Sequence, residues 1–353
     1  MSRRFWNELV ERLEPYVPGE QPQVSNLLKL NTNEAAYAPS PRVLDALASV
    51  DGDDLLRYPD PRSRVLCQSI AAYHGLREDQ VFVGNGSDEV LAHVFQGLLK
   101  QQRELLFPDI SYSFYPVWAQ LYGIHYRQVA LDGEFAIRSQ DYSSSAAAVI
   151  LPNPNAPTGR LLELDELREF LAAKNRLLVV DEAYIDFGGD TAVPLLAEYD
   201  NLLIVRTLSK SRSLAGLRVG YAMGSPELIE ALVRVKDSFN SYPLDVVAQR
   251  AAVASFADDA WFKDCCQRVI NSREMLCAGL EKLDFEVLPS GANFVFCRHR
   301  RVAGKALFDA LRQRGIIVRR WDRERINDYL RISVGTDAQM ERLLQSLEEI
   351  LAS

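Results

Sequence analysis

Between about Pro41 and Gly224 the chain repeatedly sets short runs of apolar, β-branched residues before stretches with helical spacing. The runs are Gln80 to Val83, Arg103 to Phe107, Ala147 to Leu151, Leu177 to Val180, Leu202 to Thr207 and Val219 to Met223. Most are apolar throughout rather than alternating. A strand that presents apolar residues on both faces belongs inside a parallel sheet covered by helices on both sides. Ser87 to Leu99 and Leu164 to Ala173 read as two of the covering helices, with Asp88 and Glu89 in the first turn where the helix dipole favours them. The pattern therefore predicts an α/β fold.

The text changes after Asn240. Ala248 to Leu283 reads as helical, and strands are expected at Phe285 to Val287, Asn293 to Cys297, Gly315 to Arg319 and Tyr329 to Val334. Helices at Gly304 to Arg314 and Asp337 to Leu351 complete a smaller α/β layer. Three parts are expected: an N-terminal arm over 1–41, belonging to the small layer or to a dimer contact, a large domain over 42–243, and a small domain over 244–353. With 353 residues, such a chain can bury a large core without disulfides.

Forty Lys and Arg stand against 48 Asp and Glu, a net charge of −8. No basic block stands out, which argues against a nucleic-acid partner. No apolar run is long enough to span a bilayer, and residues 1–20 lack the plan of a signal peptide. The five cysteines include the adjacent Cys265 and Cys266 and form no CxxC, so reduced thiols and a cytoplasmic location are expected. The four scattered histidines suggest no metal site.

Chemistry concentrates at the ends of the strand candidates, where ligands collect in open α/β sheets. Asp181 ends one, in Asp181-Glu182-Ala183-Tyr184. Ser209 and Lys210 follow the next, and Arg218 lies beyond them. Lysine forms a reversible imine with an aldehyde. A carboxylate keeps a ring nitrogen protonated. Ser209 and Arg218 suit a phosphate, arginine by its bidentate fork. Upstream, Gly84-Asn85-Gly86-Ser87-Asp88-Glu89 places glycines between a strand and a helix, a frequent anion-binding turn. Pyridoxal phosphate unites an aldehyde, a pyridine and a phosphate, and the set fits it.

The same residues carry a resemblance. Together with Leu30-Asn31-Thr32-Asn33-Glu34, Arg57-Tyr58-Pro59-Asp60, Asn153-Pro154-Asn155-Ala156-Pro157-Thr158-Gly159 and Leu330-Arg331-Ile332-Ser333-Val334-Gly335-Thr336, they make nearly the whole chain similar to the fold-type I pyridoxal-phosphate aminotransferases. Within them it resembles the histidinol-phosphate aminotransferase branch. The resemblance implies a mostly parallel seven-stranded sheet in the large domain. It implies catalytic roles for Lys210, Asp181 and Tyr184, with Asp181 on the pyridine nitrogen and Tyr184 on the ring oxygen. It further implies a phosphate cup of Gly86, Ser87, Asp88, Ser209 and Arg218, and Tyr112 stacked on the ring. Tyr58 would reach across from the second subunit of a homodimer with shared active sites. Arg331, Arg319 and Asn33 would bind substrate. The implied reaction is transamination between L-histidinol phosphate and 2-oxoglutarate, in histidine biosynthesis. An aromatic amino-acid aminotransferase or a threonine-phosphate decarboxylase would use the same scaffold.

Two positions depart from the family pattern. Ala156 stands where an asparagine often bonds the ring oxygen, so that role is either absent or passes to Asn155, which is counted among the cofactor-binding residues. Ile110 stands where a proline usually opens the Tyr112 motif.

Overall fold

The computed structural model describes residues 4–21, 26–143 and 145–352. Parts of the expected arm, residues 1–3 and 22–25, lie outside them. The main sheet has seven strands. Along its width they run Val81–Asn85, Val219–Gly224, Leu202–Thr207, Leu177–Asp181, Ala148–Pro152, Leu105–Pro108 and Tyr126–Val129. Val219–Gly224 is antiparallel to both of its neighbours, and every other pairing is parallel.

Successive side chains of a strand face opposite ways, which explains the wholly apolar runs. Leu202 and Ile204 enter the core on one face of the sheet, while Leu203 and Val205 enter the core on the other. Val149 and Leu151 divide from Ala148 and Ile150 in the same manner. The sequence reading omitted the edge strand Tyr126–Val129. Its Arg127 and Gln128 are exposed, so it lacks the apolar signature of the central strands.

The remaining layer holds an antiparallel sheet in the order Leu330–Ser333, Phe294–His299, Phe285–Val287. The arm joins it: Leu28–Lys29 pairs in parallel with Ile316–Ile317, and Ser333 donates its N–H to the Leu30 carbonyl at 3.0 Å. The expected continuous helix over 248–283 is two helices, Val246–Phe256 and Asp259–Lys282. They break at Ala257-Asp258, where the Asp258 carboxylate bonds the Ser40 hydroxyl rather than continuing the helix. Val246–Phe256 follows the expected boundary at 243/244, yet its Ala248, Ala251, Ala252 and Phe256 pack into the core of the large sheet.

Six strands run in one direction, and Val81–Asn85, Leu105–Pro108, Ala148–Pro152, Leu177–Asp181 and Leu202–Thr207 among them deliver their carboxyl ends to one edge of the large sheet. The small layer and the arm meet that edge, and a cavity opens between them.

Candidate active site

Asp181 closes its strand 5% exposed. Its Oδ2 accepts the Tyr115 hydroxyl at 2.9 Å and its Oδ1 accepts the Ala183 N–H at 3.2 Å. No guanidinium or ammonium of the described residues answers it with an ion pair, and burial pushes its carboxyl up to about 6. A buried carboxylate without a counter-charge is costly. Its chemistry calls for a cation at the floor of the cavity.

Lys210 stands on the loop that follows the neighbouring strand. Its Nζ donates to the Thr32 carbonyl at 3.2 Å and lies 5.7 Å from the Tyr184 ring centroid. The loop is pinned immediately afterwards. The Ser211 hydroxyl donates to Asp186 Oδ2 at 2.6 Å, and Asp186 pairs with the buried Arg206. Arg212 lies 4.1 Å from the rings of both Phe256 and Phe262 and donates to the Ser255 carbonyl at 2.7 Å. Burial acts to raise the Asp186 carboxyl, but Arg206 and Ser211 hold it below its ordinary value.

Tyr184 accepts an amide N–H from Asn33 at 3.1 Å, which leaves its own hydroxyl hydrogen for a partner in the cavity. Asn33 is held in turn. Its Oδ1 accepts the Ser333 hydroxyl at 2.9 Å, and its φ is +55°.

The glycine turn is shaped by close approach. A Cβ on Gly220 would sit 2.2 Å from the Ser87 nitrogen, so only glycine lets the start of the helix Gly86–Val94 lie on that strand. A Cβ on Gly86 would come 2.5 Å from Arg218 Nη2. Arg218 thereby reaches the helix N-terminus, donating to Asp88 Oδ2 at 2.9 Å and to Ser209 Oγ at 3.5 Å. Its φ of +53° is left-handed. Non-glycine residues held there, as Asn33 and Arg218 are, mark sites whose surroundings dictate the backbone. Tyr112 also donates to Asp88, at 2.9 Å to Oδ1. The Asp88 carboxylate thus orients two cavity groups.

At the opposite side Arg319 and Arg331 pair backbone to backbone, at 3.0 and 2.9 Å, and both line the cavity. Arg331 donates to the Asn31 carbonyl at 2.7 Å, and its Nε is buried without a partner among the described residues. Neither arginine has a carboxylate partner among the described residues. Burial depresses the Arg331 guanidinium, an ionised group that lacks a counter-anion.

Most of the residues singled out from the sequence converge here. Asn155 is a correction. Its Nδ2 donates to the Ile110 carbonyl at 3.0 Å and to Thr158 Oγ1 at 2.9 Å, and Ala156 lines the cavity instead. Asn155 secures its own loop and does not take over the missing contact. Tyr58 lies apart, 82% exposed and stacked on Tyr242 at 4.7 Å. Tyr115, Thr207 and Tyr16 went unrecognised. Tyr115 opens the helix Tyr115–Tyr122, and no local pattern pairs it with Asp181, 66 positions away. Tyr16 sits in an irregular arm, stacked on Phe114 at 4.7 Å, and carries no motif.

Amine, carboxylate, anion-binding turn and unanswered arginines around one cavity fit a phosphorylated pyridine aldehyde. The uncompensated Asp181 supplies the structural test of that fit. Fold and site together define an α/β transferase of the pyridoxal-phosphate type. Residues 25–347 match the model of aminotransferase class I and II, and the chain belongs to that family. It is 58% identical to histidinol-phosphate aminotransferase 2 of Thiobacillus denitrificans, over 99% of this chain and 98% of that protein. It is 54% identical to histidinol-phosphate aminotransferase 1 of Pseudomonas aeruginosa, over 98% of each. The crystal structure of the Sinorhizobium meliloti histidinol-phosphate aminotransferase in complex with pyridoxal-5′-phosphate superimposes with a TM-score of 0.89. It is 26% identical, with 99% of this chain and 98% of that one covered.

Proposed function

We propose that this chain catalyses reversible transamination between L-histidinol phosphate and 2-oxoglutarate, with pyridoxal phosphate as cofactor, as a step of histidine biosynthesis. The carrying observation is that Arg319 and Arg331, without carboxylate partners, share one cavity with Lys210 and the uncompensated Asp181. When bound, the cofactor supplies an aldehyde carbon and an electron-withdrawing ring.

Lys210 is the amine that would hold the aldehyde and would move a proton at the substrate Cα. Asp181 would keep a proton on the ring nitrogen, with Tyr115 holding the carboxylate in place. Tyr184 has a hydroxyl hydrogen to offer the ring oxygen, and Tyr112 would pack against the ring. Ser209, Arg218 and the helix start at Gly86-Ser87-Asp88 would hold the phosphate by charge-assisted bonds and by helix N–H groups.

Arg331, with Arg319 beside it, binds the anionic end of each substrate in turn, a phosphate in one half-reaction and a carboxylate in the other. Both anions accept a guanidinium fork. Asn33 orders the Tyr184 side of that subsite. Tyr58, exposed on this chain, serves the phosphate of the second subunit, so the working unit is a homodimer. All five cysteines are free, which accords with the reducing cytoplasm. No helix of the described residues is long and apolar enough to cross a membrane.

Side-by-side turnover of histidinol phosphate, phenylalanine and threonine phosphate tests the reading. Histidinol phosphate should give the highest kcat/KM, with glutamate formed from 2-oxoglutarate. Faster turnover of phenylalanine, or carbon dioxide released from threonine phosphate, would replace it.

A further inference from the structure

Residues 320–330 connect Arg319 to Arg331 and do more than close a turn. Trp321 lies beneath both arginines, its ring 5.5 Å from the Arg319 guanidinium carbon and 5.3 Å from that of Arg331. Farther along, the connection crosses to the large layer. Ile326 and Tyr329 are buried in the core of the large sheet.

The polar attachment gathers on Arg325 and Asp109. Arg325 donates to Asp109 Oδ2 at 3.2 Å, to the Leu131 carbonyl at 2.8 Å and to the Asp132 carbonyl at 2.7 Å. Arg323 donates to the Asp109 carbonyl at 2.9 Å. Asp109 Oδ1 meanwhile accepts the N–H groups of Ile110 at 2.8 Å and Leu131 at 2.9 Å. Asp109 follows the strand Leu105–Pro108 and leads directly into Ser111-Tyr112, so a single side chain orders both walls of the cavity.

Arg325 also holds a φ of +71°. A side chain disfavours that conformation, and it persists only where surrounding contacts impose it. An ion pair that is partly exposed adds little to folding stability. Its effect here is geometric.

We propose that Arg325 and Asp109 form a clamp that sets the separation between the arginine pair and the Tyr112 wall, and so matches the cavity to a substrate whose anionic group lies far from its amino carbon. Both are positioning residues. The proposal rests on the reading of Arg319 and Arg331 as the substrate-anion subsite. A point mutation that shifts a binding group without touching the ligand changes coupling by a factor of roughly 3 to 30.

Four variants separate the clamp from the subsite: Arg325→Gly, Arg325→Lys, Asp109→Asn and Arg331→Ala, each assayed as holoenzyme with histidinol phosphate. Arg325→Gly deletes the guanidinium while suiting the left-handed backbone, so the fold is kept. It should raise KM roughly 3- to 30-fold, with kcat held and the pH titration of the cofactor absorbance unmoved. Competitive inhibition by inorganic phosphate should weaken in step with KM. Asp109→Asn, which keeps the amide acceptor for Ile110 and Leu131, should shift KM the same way by less, and Arg325→Lys should restore part of it. An unchanged KM in both Arg325→Gly and Asp109→Asn, alongside a raised KM in Arg331→Ala, overturns the clamp alone. So does a loss in which kcat and the cofactor spectrum change together with KM. An unchanged KM in Arg331→Ala removes the subsite reading itself.

Discussion

Replacing Asp181 by asparagine should stabilise the cofactor-free protein at neutral pH while weakening the loaded enzyme. Asp181 is 5% exposed, with only the Tyr115 hydroxyl and the Ala183 N–H as donors among the described residues. Burial, reinforced by the nearby Asp88 charge, lifts it from its ordinary 3.8 to about 6, against the pull of those two bonds. The folded chain therefore binds this proton more tightly than the unfolded chain does. That contribution to stability is fully present below about pH 4 and is lost as pH rises through about 6. Two pH units at about 1.4 kcal/mol each give a difference of about 3 kcal/mol by pH 8. Asparagine has the same shape and no proton to lose, so other titrating groups cancel between the two proteins. Urea denaturation of cofactor-free wild type and Asp181→Asn, at equal protomer concentration and at pH 4, 6 and 8, reads the effect. The curves should nearly coincide at pH 4 and separate by about 2–3 kcal/mol in favour of the variant at pH 8. With pyridoxal phosphate bound, the order at pH 8 should reverse, because the ring cation then answers the carboxylate. A gap independent of pH, or a less stable cofactor-free variant at pH 8, would refute the reasoning.

Tyr115→Phe removes the stronger of the two bonds to Asp181 and should weaken cofactor retention roughly 10- to 150-fold, since a hydrogen bond to a charged group contributes about 1.5–3 kcal/mol; equilibrium titration with pyridoxal phosphate measures it. Gly220→Ala drives a Cβ to 2.2 Å from the Ser87 nitrogen. It should cost about 1–3 kcal/mol, as overpacked sites do, and lower cofactor affinity as well as Tm; an unaltered Tm would show that the turn yields freely. Tyr58→Ala and Lys210→Ala, each inactive alone, should recover about a quarter of wild-type activity when subunits are mixed, because half of the dimers then carry one complete site. No recovery would place Tyr58 outside the shared site.

The large sheet was legible because its strands are apolar on both faces, a pattern that physics allows only in a covered parallel sheet. Tyr126–Val129 escaped because an edge strand needs no such cover, and its Arg127 and Gln128 look like a loop. The break near Asp258 escaped because the apolar spacing on both sides continues almost in phase. At the site, Lys210, Asp181 and Arg218 were readable because strand ends must bring them to one edge. The role of Asn155 was not legible because sequence position does not tell which way a loop amide points, and Thr158 and Ile110 claim it. Tyr115 is a buried ring, and that its hydroxyl meets Asp181 follows only from the packing of two elements distant in the chain. The clamp at Asp109 and Arg325 depends on a contact across 216 positions, beyond any local pattern.

Borohydride reduction of the protein purified with pyridoxal phosphate, followed by peptide mapping, tests the central assignment most directly. The account predicts loss of the visible absorbance and one pyridoxyl group per chain, carried on the side chain of Lys210. A label on any other lysine, or none on a protein that still transaminates histidinol phosphate, would contradict it.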